Sequence, residues 1–479
     1  SCSFTGYSVG ALSVSVSGLL TVKHTTNNAV VSGRWRVGGF IGSFQYLQDK
    51  SLLSFENCTN KGNMTAAGEV GGLIGYIGFN HFAVVNMTSC RSYGFITGED
   101  QWGVGGLIGR FYSNTDTTML ISNTTNNAII TGSTNHVGGF IGFISSSVNI
   151  TVVIENSTNN GFANGSGDYV GGFIGYISTS TNTSVMISNS INNGNITGSV
   201  EVGGFVGLIE RSTNMNVTIL NSINNGNTTS SHSGAGGFVG FMFNNNMNIT
   251  ISNSTNNGGI TCRLQFIGGF VGHIYRNTDM IMTILQSTNS GNTTSGGFDA
   301  GGFVGYITEN TNLVMAFSHL INNGNVTGTA SLGGFVGFMR DNTNMNMTIS
   351  NSINNGNIAG NYNVGGFAGC VESSQSSPMA LEIINDVNEG SVSSSYDIAC
   401  GLVRVDPTYH MNIRTTMKNS INKGSVSSGE NAYGITNIIT EARNVVSMGD
   451  VTGSSGSYTF WNASTDVDLF FGLDGKCIN

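Results

Sequence analysis

A short string, Val202-Gly203-Gly204-Phe205-Val206-Gly207, returns almost unchanged along most of the chain. The first Gly of its Gly-Gly pair stands at 38, 71, 105, 138, 171, 203, 236, 268, 301, 333 and 365. A period this strict argues against one globular core. It calls for stacked copies of a single supersecondary unit, so one array absorbs a length that would otherwise suggest several domains.

One repeat shows what the unit is. Met215 to Ile223 alternates apolar and polar residues like a half-buried strand, with Val217, Ile219, Asn221 and Ile223 on one face. Asn224-Asn225-Gly226 reads as a turn and Asn227-Thr228-Thr229 as a short second strand. Ser230 to Gly234 is a polar loop, Gly236 to Met242 a third strand, and Asn244-Asn245-Asn246 closes the coil. No segment carries the 3.6 period or the caps of a helix. Three short strands per coil predict an all-β fold, a parallel β-solenoid of about 33-residue repeats. A β-propeller closes with about 4–8 blades, too few for this array.

The repeat also divides the chain. Residues 1–20 are expected to form a lead-in and capping segment, with a strand at Leu12–Val16. Regular coils are expected over 21–370. Worn coils follow over 371–454, where Cys400-Gly401-Leu402-Val403 and Tyr433-Gly434-Ile435 keep traces of the Gly-Gly strand. Residues 455–479, with Tyr458, Phe460, Trp461, Leu469, Phe470 and Phe471, read as an aromatic cap or docking segment.

The module Ile187-Ser188-Asn189-Ser190-Ile191-Asn192-Asn193-Gly194-Asn195-Ile196-Thr197-Gly198, followed by Val202 to Gly207, resembles the GLUG-motif repeat. That family is named for a Gly-Leu-apolar-Gly core. Leu stands in this core at Leu73 and Leu107, and Phe replaces it elsewhere. The resemblance covers roughly residues 21–440. It implies an extracellular β-rich scaffold of adhesin-like character and supplies no catalytic residue.

Charged residues are only 9% of the chain and the net charge is −9, which leaves no basic stripe for nucleic acid and no polybasic membrane patch. No apolar run approaches the ~20 residues of a membrane helix. The first residue is Ser1, which is taken as a sign that an N-terminal segment has been removed. Polarity rests on Asn, Ser and Thr, and Asn-x-Ser/Thr sequons recur at repeat-equivalent positions, so a secreted glycoprotein is expected. Strand parity sends Asn86, Asn149, Asn182, Asn216, Asn248 and Asn346 outward. The Gly-Asn-x-Thr set, Asn63, Asn195, Asn227, Asn292 and Asn325, should also face solvent, and Asn462 is a further acceptor. Asn57, Asn123, Asn156 and Asn253 share a face with apolar residues and are expected in an amide ladder inside the coil. These four and Asn164 are expected to be poor acceptors.

Seven cysteines are an odd number. Cys58 and Cys90 align in successive coils, about 4.8 Å apart, and are expected to form a disulfide. Cys370 and Cys400 are also one coil apart but without a clear register, so a bond there stays open. Cys2 and Cys477 stand at opposite ends and would meet only between subunits. Cys262 is expected as a buried thiol.

No enzyme is expected. Acidic residues do not cluster at equivalent positions, the nearest approaches being Asp397 with Asp406 and Asp466 with Asp468. The seven His lack metal-ligand spacing, the Gly-rich strings lack the Lys and helix of a phosphate loop, and no cofactor motif occurs. Two functions remain. The first is a secreted, N-glycosylated fibre or surface scaffold whose subunits associate head to tail. The second is an adhesin or carbohydrate-binding stalk that uses the variable residues before each Gly-Gly, such as Arg34-Trp35-Arg36, Gln101-Trp102 and Asp168-Tyr169.

Overall fold

The computed structural model describes residues 3–11, 19–46, 51–99, 102–133, 136–374, 377–409, 412–463 and 467–468. They divide into two compact units, Ser1–Ser231 with Gly237–Asn248, and His232–Gly236 with Ile249–Asn479. Each unit is a parallel β-solenoid, and the described residues contain no helix.

A regular coil has five strands, not three. In the first unit they are Ile141–Ser145, Thr151–Glu155, Thr158–Asn159, Ala163–Gly165 and Val170–Gly171. The next coil stacks on it in parallel, with Ile141 opposite Ile174, Val152 opposite Val185 and Asn159 opposite Asn192. In the second unit the corresponding strands are Val271–Tyr275, Thr278–Leu285, Thr288–Asn289, Thr293–Ser295 and Phe298–Gly301. The expected loop Ser230–Gly234 lies within the strand Thr228–Gly236, and Asn244–Asn246 within Val239–Ser252. The parallel ladder pairs their backbone groups whatever their polarity.

The N-terminal segment belongs to the stack. Ser3–Gly10 pairs in parallel with Val30–Gly38 across one register shift between Gly6 and Ser8, placing Val9-Gly10 against Val37-Gly38. Leu12–Val16 lies outside the described residues. Coils also continue through 371–454, where Ala399–Cys400 pairs with Val364-Gly365.

Beside the aliphatic core, three rows of side chains run through the interior. Where Phe follows the Gly-Gly it is fully buried, and consecutive rings stack, at 4.7 Å for Phe140–Phe173 and 4.8 Å for Phe173–Phe205. In the second unit Phe270–Phe303 and Phe335–Phe367 stack at 4.7 and 4.6 Å. Such pairs add ~0.5–1.5 kcal/mol beyond burial.

The second row is a buried amide ladder. Asn126 donates to Asn159, Asn159 to Asn192 and Asn192 to Asn224, at 2.7–2.8 Å. In the second unit Asn256, Asn289, Asn322, Asn354, Asn388 and Asn422 continue the pattern at 2.7–2.9 Å. Where Gly stands two residues on, the amide spends its second hydrogen on that carbonyl, as Asn192 does on Gly194 at 3.0 Å and Asn289 on Gly291 at 3.0 Å. The second Gly of each Gly-Gly packs flat on this ladder. A Cβ on Gly139 would overlap the Gly172 carbonyl and the Asn159 amide.

The third row is a hydroxyl ladder. The Thr124 amide donates to Ser157 Oγ at 3.2 Å, that of Ser157 to Ser190 at 3.3 Å, and that of Ser190 to Ser222 at 3.3 Å. Cys58 and Cys90 take two places of this row in the first unit, and Asp386 replaces a hydroxyl in the second.

The expected interior ladder through Asn57, Asn123, Asn156 and Asn253 is therefore corrected. All four are exposed and turn a corner in the left-handed region, with φ of 47–51°. A left-handed residue adds one outward position and shifts the alternation, so the inward amide is three residues later. This outer row makes its own surface ladder, as in Asn221 to Asn189 at 3.1 Å. The same effect moves Asn149 and Asn182, with φ of 54° and 51°, into another corner row. They lie beside Asp116 and Asn214, out of line with Asn216. Ser184 and Thr151 stand in the row of Asn216.

The buried ladder can be tested by truncation. Asn289→Ala removes bonds with Asn256, Asn322 and Gly291, leaving their groups without partners in the core. At ~1–3 kcal/mol per orphaned group, urea unfolding should show a loss of about 3 kcal/mol or more. Asn323→Ala, one residue outward on the exposed ladder, should cost less than ~1 kcal/mol. Equal losses would remove the buried row from its place as the stabilising one.

Candidate functional site

The positions that differ most from coil to coil lie in a groove on the outer side of each unit. One wall is the residue just before each Val-Gly-Gly or its equivalent. It is commonly left-handed, as at His136, Tyr169 and Glu201 in the first unit and Phe266, Asp299, Ser331 and Asn363 in the second. The other wall is the residue after each third Gly of the motif. There the sequence places Tyr76, Arg110, Phe143, Tyr176 and Leu208, then His273, Tyr306, Phe338 and Cys370. The intervening Gly lies against the backbone of the preceding coil, which brings the two walls together.

In the first unit the groove begins with charge. Arg110 is buried against Glu69 at 3.4 Å, and its guanidinium lies 4.2 Å from the Tyr112 ring and 4.8 Å from Trp102. Arg36 sits 3.8 Å over Tyr76. Burial raises the Glu69 carboxyl, and the two arginines oppose it. An aromatic stack follows, with His136 at 4.4 Å from Phe143 and 4.7 Å from Tyr176. Glu201 lies beyond it. Burial, then the charges of Asp168 and Glu210, pushes its carboxyl up to about 8. Tyr176 donates to Glu210.

The expected sugar-stacking residues fall on this groove, but their faces are partly used. Trp35 meets Trp102 edge-on at 6.5 Å, and Arg110 covers Trp102. Trp102 remains 41% exposed. Asp168 and Tyr169 are half-buried.

In the second unit Phe266, His273, Tyr306 and Phe338 stack at 4.3–5.2 Å. Burial drives the His273 imidazole down to about 3, so it is neutral. Farther along, the Arg404 guanidinium donates to Cys370 Sγ at 3.0 Å and to Asp406 at 2.9 Å. Cys370, Glu372 and Asp406 come close enough to hold a metal ion. Arg404 already supplies the positive charge there. This cluster was invisible in the sequence because its members are one coil apart, and only the 34-residue offset of Cys370 and Arg404 hints at it.

The five described cysteines are free thiols. Cys58 and Cys90 do stand in successive coils in register, since their neighbours Thr59 and Arg91 are paired. They occupy hydroxyl-ladder positions, where the Cys58 thiol donates to the Val22 carbonyl at 3.3 Å. The hydrogen bond between the two thiols lowers Cys58 and raises Cys90. In this structure the two stand as a pair of free thiols in adjacent coils. Cys370 and Cys400 are out of register, because Cys400 lies opposite Gly365 and Cys370 opposite Phe338. Cys262 is buried, as expected. Cys2 and Cys477 lie outside the described residues.

The sequons reach solvent. Asn63, Asn195, Asn216, Asn227, Asn248, Asn292, Asn325 and Asn346 are exposed, as are Asn149 and Asn182 at their corner, and Asn86 and Asn164 are half-exposed. The side chain of Asn462 is outside the described set. Comparison of the chain with protein-family models, curated proteins and solved structures gave no match.

Asp299 gives the groove a measurable pH dependence. Burial pushes its carboxyl from 3.8 up to about 7, and a hydrogen bond with Ser331 opposes the shift. The folded state therefore holds the proton more tightly than the unfolded chain. This contribution to stability is full below about pH 3.8 and is lost as pH rises through about 7. Urea unfolding should show stability falling between pH 5 and pH 8, by up to about 3 kcal/mol from this group. Asp299→Asn should reduce that slope, leaving the share of Glu201 and Asp386, and an unchanged slope would exclude Asp299 as a source.

Proposed function

We propose that the protein is an extracellular, N-glycosylated structural solenoid, the subunit of a fibre or surface scaffold that grows head to tail. One observation carries this reading. Buried and exposed asparagines are both abundant, yet every sequon with a described side chain falls on an exposed or half-exposed one. The buried ladder residues Asn126, Asn159, Asn192, Asn289 and Asn322 are followed by Asn-Ala, Asn-Gly or Ser-Gly, and none carries a sequon. The buried Asn310 and Asn342 sit in Asn-Thr-Asn, which is not a sequon either. A chain decorated after folding to its present surface would show this separation.

The resemblance to GLUG-motif repeats points to the same compartment. Sugar on outward rows would keep the flanks of the stack apart. A parallel ladder ends in backbone groups that seek another strand, which favours addition at the ends. End-on contact between unlike surfaces repeats without closing and gives a filament. In an oxidising compartment the Cys58 and Cys90 thiols would be close enough to join.

Peptide mass mapping of material from a glycosylating host tests the compartment. Asn63, Asn86 and Asn346 have no sequon beside them in the same row, so sugar should be near complete there. Asn195 and Asn227 are adjacent, since the Asn227 amide donates to Asn195 Oδ1 at 2.9 Å. Asn325 bonds Asn292 likewise at 3.0 Å. Each of these pairs should carry one glycan far more often than two, because strands are only ~4.8 Å apart. Absence of sugar at all of these sites would defeat the reading. Electron microscopy of the purified protein should show filaments, and a mass that stays monomeric as concentration rises would overturn head-to-tail growth.

A further inference from the structure

The groove of the second unit contains a hollow of about 500 Å³ that includes Phe298, Asp299, Ala330, Ser331, Tyr362 and Asn363 among its walls. Three of these belong to one register row, in which Phe298 pairs with Ala330 and Ala330 with Tyr362. The two aromatic side chains are 50% and 44% exposed. Between them Ala330 is buried and carries only a methyl group. Two coil steps separate the aromatic residues, about 9.6 Å along the stack. In this unit the Phe column from Phe270 to Phe367 has a ring at each step, at 4.6–5.2 Å from the next. The row through Ala330 thus has aromatic residues on both sides of a rung that lacks one.

The polar groups beneath this rung are chiefly acceptors. Asp299 is 6% exposed, and its carboxyl is hydrogen-bonded to Ser331. Asn363 Oδ1 is buried without a hydrogen-bond partner. A buried acceptor without a donor is costly, and a ligand that brings hydroxyl groups would relieve that cost. Arg340 reaches the same hollow and is held by Glu372 at 3.7 Å and Asp341 at 3.2 Å.

We propose that the hollow above Ala330 is a binding site for one pyranose ring of a neutral saccharide, seated between Phe298 and Tyr362. The ring takes the rung that Ala330 leaves open, with its C–H faces toward the aromatic side chains. Its hydroxyls donate to Asn363 Oδ1 and to the Asp299 carboxyl. A quaternary cation would also suit the rings and acids, but it has no donor for the amide oxygen. A sugar hydroxyl satisfies it. This site goes beyond the scaffold reading and does not depend on filament formation. It lies far along the sequence from Trp35 and Trp102, which mark the first-unit groove.

The test uses the full chain after enzymatic removal of N-linked sugar. Methyl glycosides of glucose, galactose, mannose and N-acetylglucosamine are the probes, and saturation-transfer NMR is the readout. At least one should receive saturation on its ring protons and give a measurable affinity. Tyr362→Ala alters a side chain that is 44% exposed and should weaken that affinity at least tenfold, as should Asn363→Ala. Ala330→Phe, which fills the open rung, should abolish it, while Trp102→Ala should leave it unchanged. No transfer to any probe overturns the proposal. So does affinity that survives both Tyr362→Ala and Asn363→Ala, or binding of tetramethylammonium without binding of any pyranoside.

Discussion

The hydrogen bond from one buried asparagine amide to the next is the interaction on which the architecture depends. Each amide gives one hydrogen to the following coil and one to its own turn, as Asn322 does to Asn354 at 2.7 Å and to Gly324 at 3.0 Å. No other neutral side chain of this size can donate twice and accept at once from these directions. The bond fixes which residue stacks on which. The number of residues between rungs is then free to vary, and steps of 32, 33 and 34 residues all close in the same register. The Gly-Gly pair follows from the ladder. Its second Gly lies against the amide and the next coil's carbonyl, where a Cβ has no room. The first meets the carbonyl three residues on, as Gly138 meets that of Ile141. The string that marks the repeat is thus the negative image of the asparagine that holds it.

A coil must also turn, and this chain turns with few glycines in the left-handed region. Non-glycine residues take that conformation at corner after corner, many of them Asn. Asn tolerates it better than most residues because its short amide bonds locally. Here that amide bonds the equivalent residue one coil away, so the strain of a corner is offset by a second ladder on the surface. Asn182, Asn214 and Asn246 form such a row, at 2.6–2.9 Å. Side-chain amides therefore bracket the backbone from inside and outside, and that explains a composition rich in Asn and poor in charge.

How much of this could be read in the sequence follows from the same geometry. The period, the parallel stack and the solvent-facing Gly-Asn-x-Thr sequons were legible, because each depends on a residue type recurring at a fixed interval. The side on which a given Asn lies was not. Asn221 and Asn224 look alike in sequence, yet one is exposed and the other buried. A single left-handed φ at Asn221 shifts the alternation, and nothing in the residue type announces it. The thiol pair was located in register, but its place in a hydroxyl ladder was hidden because Thr124, Ser157 and Ser190 differ from Cys in letter and not in task. The groove was the least legible part. Its walls come from positions about seven residues apart in the chain, and each coil fills them differently.

That difference bears on where function can reside. Interior rows stack each residue on its own equivalent, so they gain most when every coil carries the same side chain. Departures there are few and visible, such as Asp386 in place of a hydroxyl, whose carboxyl burial pushes up to about 7. The groove rows obey a looser rule, because a ring, a guanidinium or a carboxylate can each be matched by the coil above. Arg110 is matched by Phe143 at 5.0 Å, Phe143 by Tyr176 at 4.8 Å, and Tyr306 by Phe338 at 5.2 Å. Identity can therefore change along the groove without loss of the stack. Each unit built this way has a constant interior that sets spacing and an outer seam that can carry information. Within that seam, the rung at Ala330 has aromatic residues on both sides and none of its own, which is why a ligand that supplies the ring can be recognised there.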